Sequence, residues 1–172
     1  KYNGSIGVFA GCGTNTYYYN NVLNNPLVLN TVGAFQATTL NEKDFIASRT
    51  AYQLNLKGPA VSLFSACSTS LLAIAQATDS IRNGQCDVAI AGGASVTAPI
   101  NSGYLYEEGA MLSKDGHCNT FNANSTGTVF SDGAGVVLLK SLEAAKLHGD
   151  VIYAVIKGCG VNNDGGSKGS FT

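Results

Sequence analysis

The segment at residues 58–75, GPAVSLFSACSTSLLAIA, constrains the fold more than any other stretch of the chain. Gly58 and Pro59 break what precedes them, and Ala60–Phe64 follows as a short apolar run carrying Val61 and Phe64. Ser65, Ala66, Ser68 and Thr69 are small and mostly polar, as a tight bend requires. From Ser70 the period changes: Leu71, Leu72, Ile74 and Ala75 recur at helical spacing. Strand, sharp turn and helix in direct succession point to an α/β architecture.

The rest of the chain reads in the same style. Ser5–Ala10 is a buried strand ending in Gly11-Cys12-Gly13, and Glu42–Asn55 is a helix with acids at its start. Cys86–Ala91 is a strand followed by Gly92-Gly93. Gly127–Leu139 contains a strand interrupted by Asp132-Gly133-Ala134-Gly135. Ser141–His148 is a short helix, and Val151–Gly158 a last strand. Residues 14–41, with their Asn-Asn and Asn-Pro pairs and three consecutive tyrosines, read as loop with a short helix that covers a surface or an interface. The expectation is a largely parallel or mixed sheet with helices on its faces. The 21 glycines among 172 residues exceed the roughly 7% norm and favour turns and close layer packing. GCGTNT lacks the third glycine of a dinucleotide fingerprint, and no Gly-Lys-Ser/Thr follows the GAG run at 133–135, so neither reads as a nucleotide site.

Composition excludes several functions. A net charge of −1 offers nucleic acid no basic field. No apolar run approaches the roughly 20 residues that cross a bilayer, and no signal-peptide pattern opens the chain. The five cysteines, at 12, 67, 86, 118 and 159, are odd in number and dispersed. His117 adjoins Cys118 without a second ligand pair, so no metal site is expected. Free thiols of this kind fit a reducing cytoplasm. The chain opens on Lys1 and its one methionine is Met111, so it reads as an internal piece of a longer protein.

Cys67 sits at the turn just before the helix. Unpaired N–H groups and the positive dipole end there favour an anion. A thiolate is such an anion and is the reactive form of cysteine. The same turn can aim a backbone N–H at a developing oxyanion, so the geometry is that of a nucleophile elbow with sulfur in place of oxygen. The competing reading is a small, buried, inert hydrophobe. No histidine lies near Cys67 in sequence, although catalytic partners meet in space rather than in sequence.

ACSTSL after an apolar strand resembles the active-site segment of ketosynthases, the condensing enzymes of polyketide and fatty-acid synthesis. The likeness extends to EKDFIASRTAYQLNLKGP (42–59), CDVAIAGGASV (86–96), GYLYEEGAMLSKDGHC (103–118), GTVFSDGAGVVLLKSLEAA (127–145) and IYAVIKGCGVNNDG (152–165). Its wording is similar to the ketosynthase domains of modular polyketide synthases. The resemblance implies a thiolase-like fold of two related α/β halves, this chain supplying most of the first. It implies that Cys67 is the nucleophile, with its own N–H as half of an oxyanion hole, and that Tyr104, Tyr106 and Met111 line a wall of the acyl pocket, where a plain core role competes. It implies no cofactor or metal in the domain itself. The substrates are an acyl thioester and a malonyl-type extender, each on the phosphopantetheine arm of an acyl carrier protein. It also implies a homodimer pairing near Ala60–Phe64, and fellow synthase domains such as an acyltransferase. The two catalytic histidines of the family are expected beyond Thr172, because neither His117 nor His148 sits in its histidine motifs; both read as structural, the first in a loop and the second at a helix C-terminus. Residues 1–172 alone are therefore expected to be inactive. Asn122, in FNAN, stands where the family has aspartate, and a structural consequence at most is expected. An inactive docking module that only dimerises is the rival class, against which Cys67 argues. A thiolase-type enzyme, an acyltransferase and a cysteine hydrolase are further alternatives; the hydrolase needs a His–acid pair that the stretch after Cys67 does not offer.

Overall fold

A computed structural model describes residues 2–167. Its centre is a four-stranded sheet of β1 (Ile6–Cys12), β2 (Ala60–Ser62), β3 (Val88–Ser95) and β4 (Gly133–Lys140), in the order β2-β1-β3-β4. β1 pairs in parallel with both β2 and β3, and β4 runs antiparallel to β3, so the sheet is mixed. The helices are α1 (Pro26–Val32), α2 (Ala34–Asn41), α3 (Ile46–Gln53), α4 (Thr69–Arg82) and α5 (Leu142–His148).

Parallel strands joined through helices obey a right-handed crossover rule. β2 and β3 lie on opposite sides of β1, so the rule sends α3, between β1 and β2, and α4, between β2 and β3, to opposite faces of the sheet. The side chains of β1 agree. Val8 packs with Ala47 and Ala51 of α3, whereas its neighbour Phe9 packs with Ala73 and Ala77 of α4 and with Ala89 and Ala91 of β3. Adjacent strand residues point to opposite faces, so one strand supplies both cores. The alanines on the buried side of α4 let the helix axis approach the sheet closely.

The helix ends follow from local chemistry. Asn25 caps α1, its side chain accepting from the N–H groups of Leu27 and Val28 at 3.1 and 3.3 Å, with Pro26 in the first turn. Ser141 caps α5 through the N–H of Ala144; Glu143 lies in its first turn and Lys146 and His148 in its last, each suited to the helix dipole.

Three expectations need correction. Residues 14–41 hold more than one short helix: a π-helical turn at Tyr18–Val22 precedes α1 and α2. The Asn-Pro pair, a loop signal by composition, is a cap followed by a first helical residue. The glycines at 133–135 do not interrupt a strand but begin β4. They pair with equally small residues, Gly135 opposite Gly93 and Ala134 opposite Ala94. The ladder is tight enough that a Cβ on Gly92 would lie 2.1 Å from the Gly135 carbonyl oxygen. Val151–Gly158 is not a strand. Among the described residues the segment finds no partner on the outer side of β4, and an extended run without a ladder is not a strand. Val151 and Tyr153 are consequently exposed. The remaining strands and helices form with boundaries shifted by a few residues, and the helix expected at Glu42–Asn55 divides into a 3₁₀ turn at Lys43–Phe45 and α3.

Candidate active site

β2 is an edge strand, and the chain leaves it through an abrupt turn into α4. Ala66 takes φ +51°, a left-handed conformation that costs a non-glycine residue about 1–2 kcal/mol. A 3₁₀ turn at Ala66–Ser68 then leads into α4 at Thr69. Hydroxyls hold the bend. The Ser65 N–H donates to Thr69 Oγ1 at 2.9 Å, and Thr69 Oγ1 donates to the Ala66 carbonyl at 2.8 Å. Ser68 Oγ donates to the Ser65 carbonyl at 3.0 Å and meets Ser65 Oγ at 2.9 Å. Cys67, at the middle of the turn, is exposed and free of any disulfide. Cys86, by contrast, is 3% exposed in the α4 core.

The bend needs room beside β1. A Cβ on Gly11 would lie 2.1 Å from the Leu63 carbonyl oxygen and 2.2 Å from Thr69 Cγ2. Gly11 thus lets the elbow sit directly against the central strand.

The long connection 96–132 between β3 and β4 carries Tyr104, Tyr106 and Met111. Tyr104 donates its phenol to the Ser113 carbonyl at 2.6 Å, and Tyr106 donates to Glu108 at 2.8 Å, which raises the Tyr106 phenol above its ordinary value. The Met111 side chain is 44% exposed, and its carbonyl accepts from the Thr128 N–H at 2.9 Å. Both phenols thus serve as internal braces of the loop, a role the sequence did not disclose. The brace centres on Ser113, whose buried hydroxyl contacts Asp115 and Thr126. Bonds from the Ser113 hydroxyl, the His117 N–H and Thr126 hold the Asp115 carboxyl below its ordinary value. His117 belongs to this loop, its ring Nδ1 2.8 Å from the Asp115 carbonyl, and His148 ends α5 beside Lys140. Asn122 accepts the Asn124 N–H at 2.9 Å through its side-chain oxygen, a bond that aspartate would make equally well.

Two other thiols differ from Cys67 in surroundings. Burial pushes the Cys12 thiol up, against a smaller lowering by Lys43. Cys12 lines a cavity of about 720 Å³ at the carboxyl ends of β1 and β3, shared with Lys43, Ile46, Arg49 and Val96; Cys67 is not in its wall. Cys118 is exposed, and the Thr128 hydroxyl and the Val129 N–H, the latter 3.0 Å from sulfur, pull its thiol below the ordinary value. Among the described residues no three His, Cys, Asp or Glu side chains converge as metal ligands, and no helix is long and apolar enough to cross a membrane.

Residues 2–145 match the model of the beta-ketoacyl synthase N-terminal domain. The chain belongs to the beta-ketoacyl synthase family. A component of the phenolphthiocerol/phthiocerol polyketide synthase of Mycobacterium tuberculosis is 41% identical over 174 residues, covering 98% of this chain and 12% of that protein. Probable polyketide synthase 1 of Dictyostelium discoideum is 37% identical over 169 residues, covering 96% of this chain and 5% of that protein. Among solved structures, ketosynthase twelve from the bacillaene polyketide synthase of Bacillus amyloliquefaciens superposes with a TM-score of 0.86 at 34% identity, over 96% of this chain and 29% of that one. The fold is accordingly the thiolase-like α/β arrangement of a ketosynthase, and the chain spans a small part of each synthase it resembles.

Proposed function

We propose that these residues carry the acyl-accepting part of a ketosynthase condensing site, with Cys67 as nucleophile. The carrying observation is an exposed, unbridged thiol on a strained, hydroxyl-braced turn at the entry to α4. The Cys67 thiolate attacks the carbonyl carbon of an acyl thioester on the phosphopantetheine arm of an acyl carrier protein. The carbon–sulfur bond to the carrier breaks, the carrier thiol leaves, and the acyl group stays on Cys67. A Cys67 N–H donor and the N-terminal end of α4 favour the negative charge that develops on oxygen and sulfur. A malonyl-type extender then loses carbon dioxide, and its enolate carbon attacks the acyl carbonyl. A carbon–carbon bond forms and the Cys67 thiolate departs.

The enolate-stabilising imidazoles are expected elsewhere in the full-length protein, since neither His117 nor His148 stands in a histidine motif of the family. Tyr104, Tyr106 and Met111 act by shaping the 96–132 loop as a wall of the acyl pocket. The partners are an acyl carrier protein, neighbouring synthase domains such as an acyltransferase, and a second copy of the domain, whose β2 edge pairs with this one; the setting is cytoplasmic. The domain itself holds no cofactor.

The test is acyl transfer to the full-length protein from an acyl thioester, with the adduct located by peptide mass spectrometry. Label is expected on Cys67 and absent in Cys67→Ala. Label confined to Cys12, Cys86, Cys118 or Cys159 overturns the assignment.

A further inference from the structure

Thr69 touches the elbow in two ways at once. Its hydroxyl accepts the Ser65 N–H and donates to the Ala66 carbonyl, spanning the residues that turn the chain just before Cys67. Its methyl carbon occupies the space that Gly11 leaves open on β1, 2.2 Å from where a Cβ would stand there. Methyl and hydroxyl share one tetrahedral carbon, so at a staggered χ1 the direction of the methyl fixes that of the hydroxyl. Seating the methyl against Gly11 therefore aims the hydroxyl back at Ser65 and Ala66. Ala66 is held at φ +51°, where an alanine does not stay unaided, and the Thr69 hydroxyl takes its carbonyl. Rotation of Ala66 into an ordinary conformation would swing the next residue, Cys67, away from its place.

We infer that Thr69 is a positioning residue for Cys67: its hydroxyl clamps the left-handed turn at Ala66, and its methyl ties the clamp to the central strand. Serine keeps the clamp and gives up the anchor, valine does the reverse, and alanine gives up both. The inference rests on Cys67 as the acyl acceptor. Small polar residues at a bend are common; the specific content here is that one hydroxyl at 69 sets the acylation rate without setting thioester affinity.

The experiment measures single-turnover acylation of Cys67 in the full-length protein, using a short-chain acyl N-acetylcysteamine thioester over a range of concentrations. Intact-mass and peptide measurements give the saturating rate and the half-saturating concentration separately. Loss of a hydrogen-bond clamp and displacement of the reacting sulfur should lower the saturating rate of Thr69→Val about tenfold or more. The half-saturating concentration should stay within about twofold, since the clamp makes no contact with substrate that differs between bound and free states. Thr69→Ser should recover most of the rate. Serine and alanine at this position differ by the hydroxyl alone, so Thr69→Ala acylating about tenfold slower than Thr69→Ser gives the same answer if the valine protein does not fold. Equal rates in the serine and alanine proteins, or a change carried by the half-saturating concentration, overturn the positioning role while leaving Cys67 as acceptor. An unsubstituted protein with no adduct on Cys67 overturns the functional reading and this inference together.

Discussion

Gly11→Ala tests whether the elbow depends on close approach to β1. The added methyl would stand 2.1 Å from the Leu63 carbonyl oxygen and 2.2 Å from Thr69 Cγ2. Both separations are more than an ångström short of the roughly 3.5 Å at which such atoms normally touch. One obstacle is backbone, so rotating a side chain does not relieve it. Leu63 must move, and its N–H donates to the Ala10 carbonyl of β1 at 3.0 Å, so that bond is strained as well. Forced overpacking costs about 1–3 kcal/mol, and a weakened hydrogen bond adds about 1 kcal/mol, giving a loss near 3 kcal/mol. Against a total of about 5–15 kcal/mol for a domain, this is a large share. Gly133→Ala is the control: nothing lies within 4 Å of its added Cβ at the start of β4, and no positive φ is involved. It should stay within about 0.5 kcal/mol. Urea unfolding followed by far-ultraviolet circular dichroism reads both. With a slope of about 1–3 kcal/mol per molar urea, Gly11→Ala should lower the midpoint by about 1–3 M. A midpoint for Gly11→Ala equal to that of Gly133→Ala would refute the reasoning, and with it the claim that Gly11 is there to admit the elbow.

Two further outcomes are expected. Iodoacetamide should alkylate Cys118 faster than Cys12 at neutral pH, with the Cys118 rate profile centred below the ordinary thiol value and that of Cys12 above it; peptide-resolved rates in the reverse order would contradict this. The sign follows from the partners, since bonds donated to the Cys118 sulfur favour thiolate whereas burial of Cys12 favours thiol. The parent domain should be a homodimer in micromolar solution, because β2 ends the sheet with Val61 and Phe64 each 37% exposed; a monodisperse monomer in sedimentation velocity rules out pairing through that edge.

The parts of the fold that were legible are those where two local signals coincide. Around Cys67, breakers, an apolar run, small residues and a change of period agree, and the strand, turn and α4 follow. Where one signal spoke alone, it misled. Abundant asparagine suggested loop at 14–41, yet Asn25 before Pro26 is a cap, and that pairing was the available clue. Glycine at 133–135 suggested interruption, yet β3 presents the small residues Ser95, Ala94 and Gly93 to the same rungs, a match visible only when the two strands face each other. Val151–Gly158 has the residues of a strand but, among the described residues, no strand to pair with. In the site, the thiol was readable and its bracing was not. Thr69 is distinguished from any other small polar residue by which carbonyl its hydroxyl reaches, and Tyr104 by its bond to the Ser113 carbonyl. Sequence carries neither direction.

The sheet topology explains why distant stretches converge on the end of the sheet from which the elbow leaves. β1, β2 and β3 are parallel, with Ala10 level with Ser62 and Cys12 level with Ala94, so their carboxyl ends lie together. Ligands of parallel α/β sheets bind outside that end. The elbow leaves from β2 there. β4 is antiparallel and begins there, with Gly133 level with Ser95, so the 96–132 loop both departs from and returns to the same end. Two bonds fasten it close to that end: the Thr97 N–H to Asp132, near the loop's far terminus, and the Ala98 N–H to Thr16, just past β1. A 37-residue connection with almost no regular structure is rare unless it serves a site. Its hydroxyl and carboxylate braces at Tyr104, Ser113, Asp115 and Thr126 give it fixed shape without a hydrophobic core of its own. One end of one sheet thus gathers the strained turn that carries Cys67 and the braced 96–132 loop, and the antiparallel direction of β4 is what brings that loop back to the cysteine's side of the sheet.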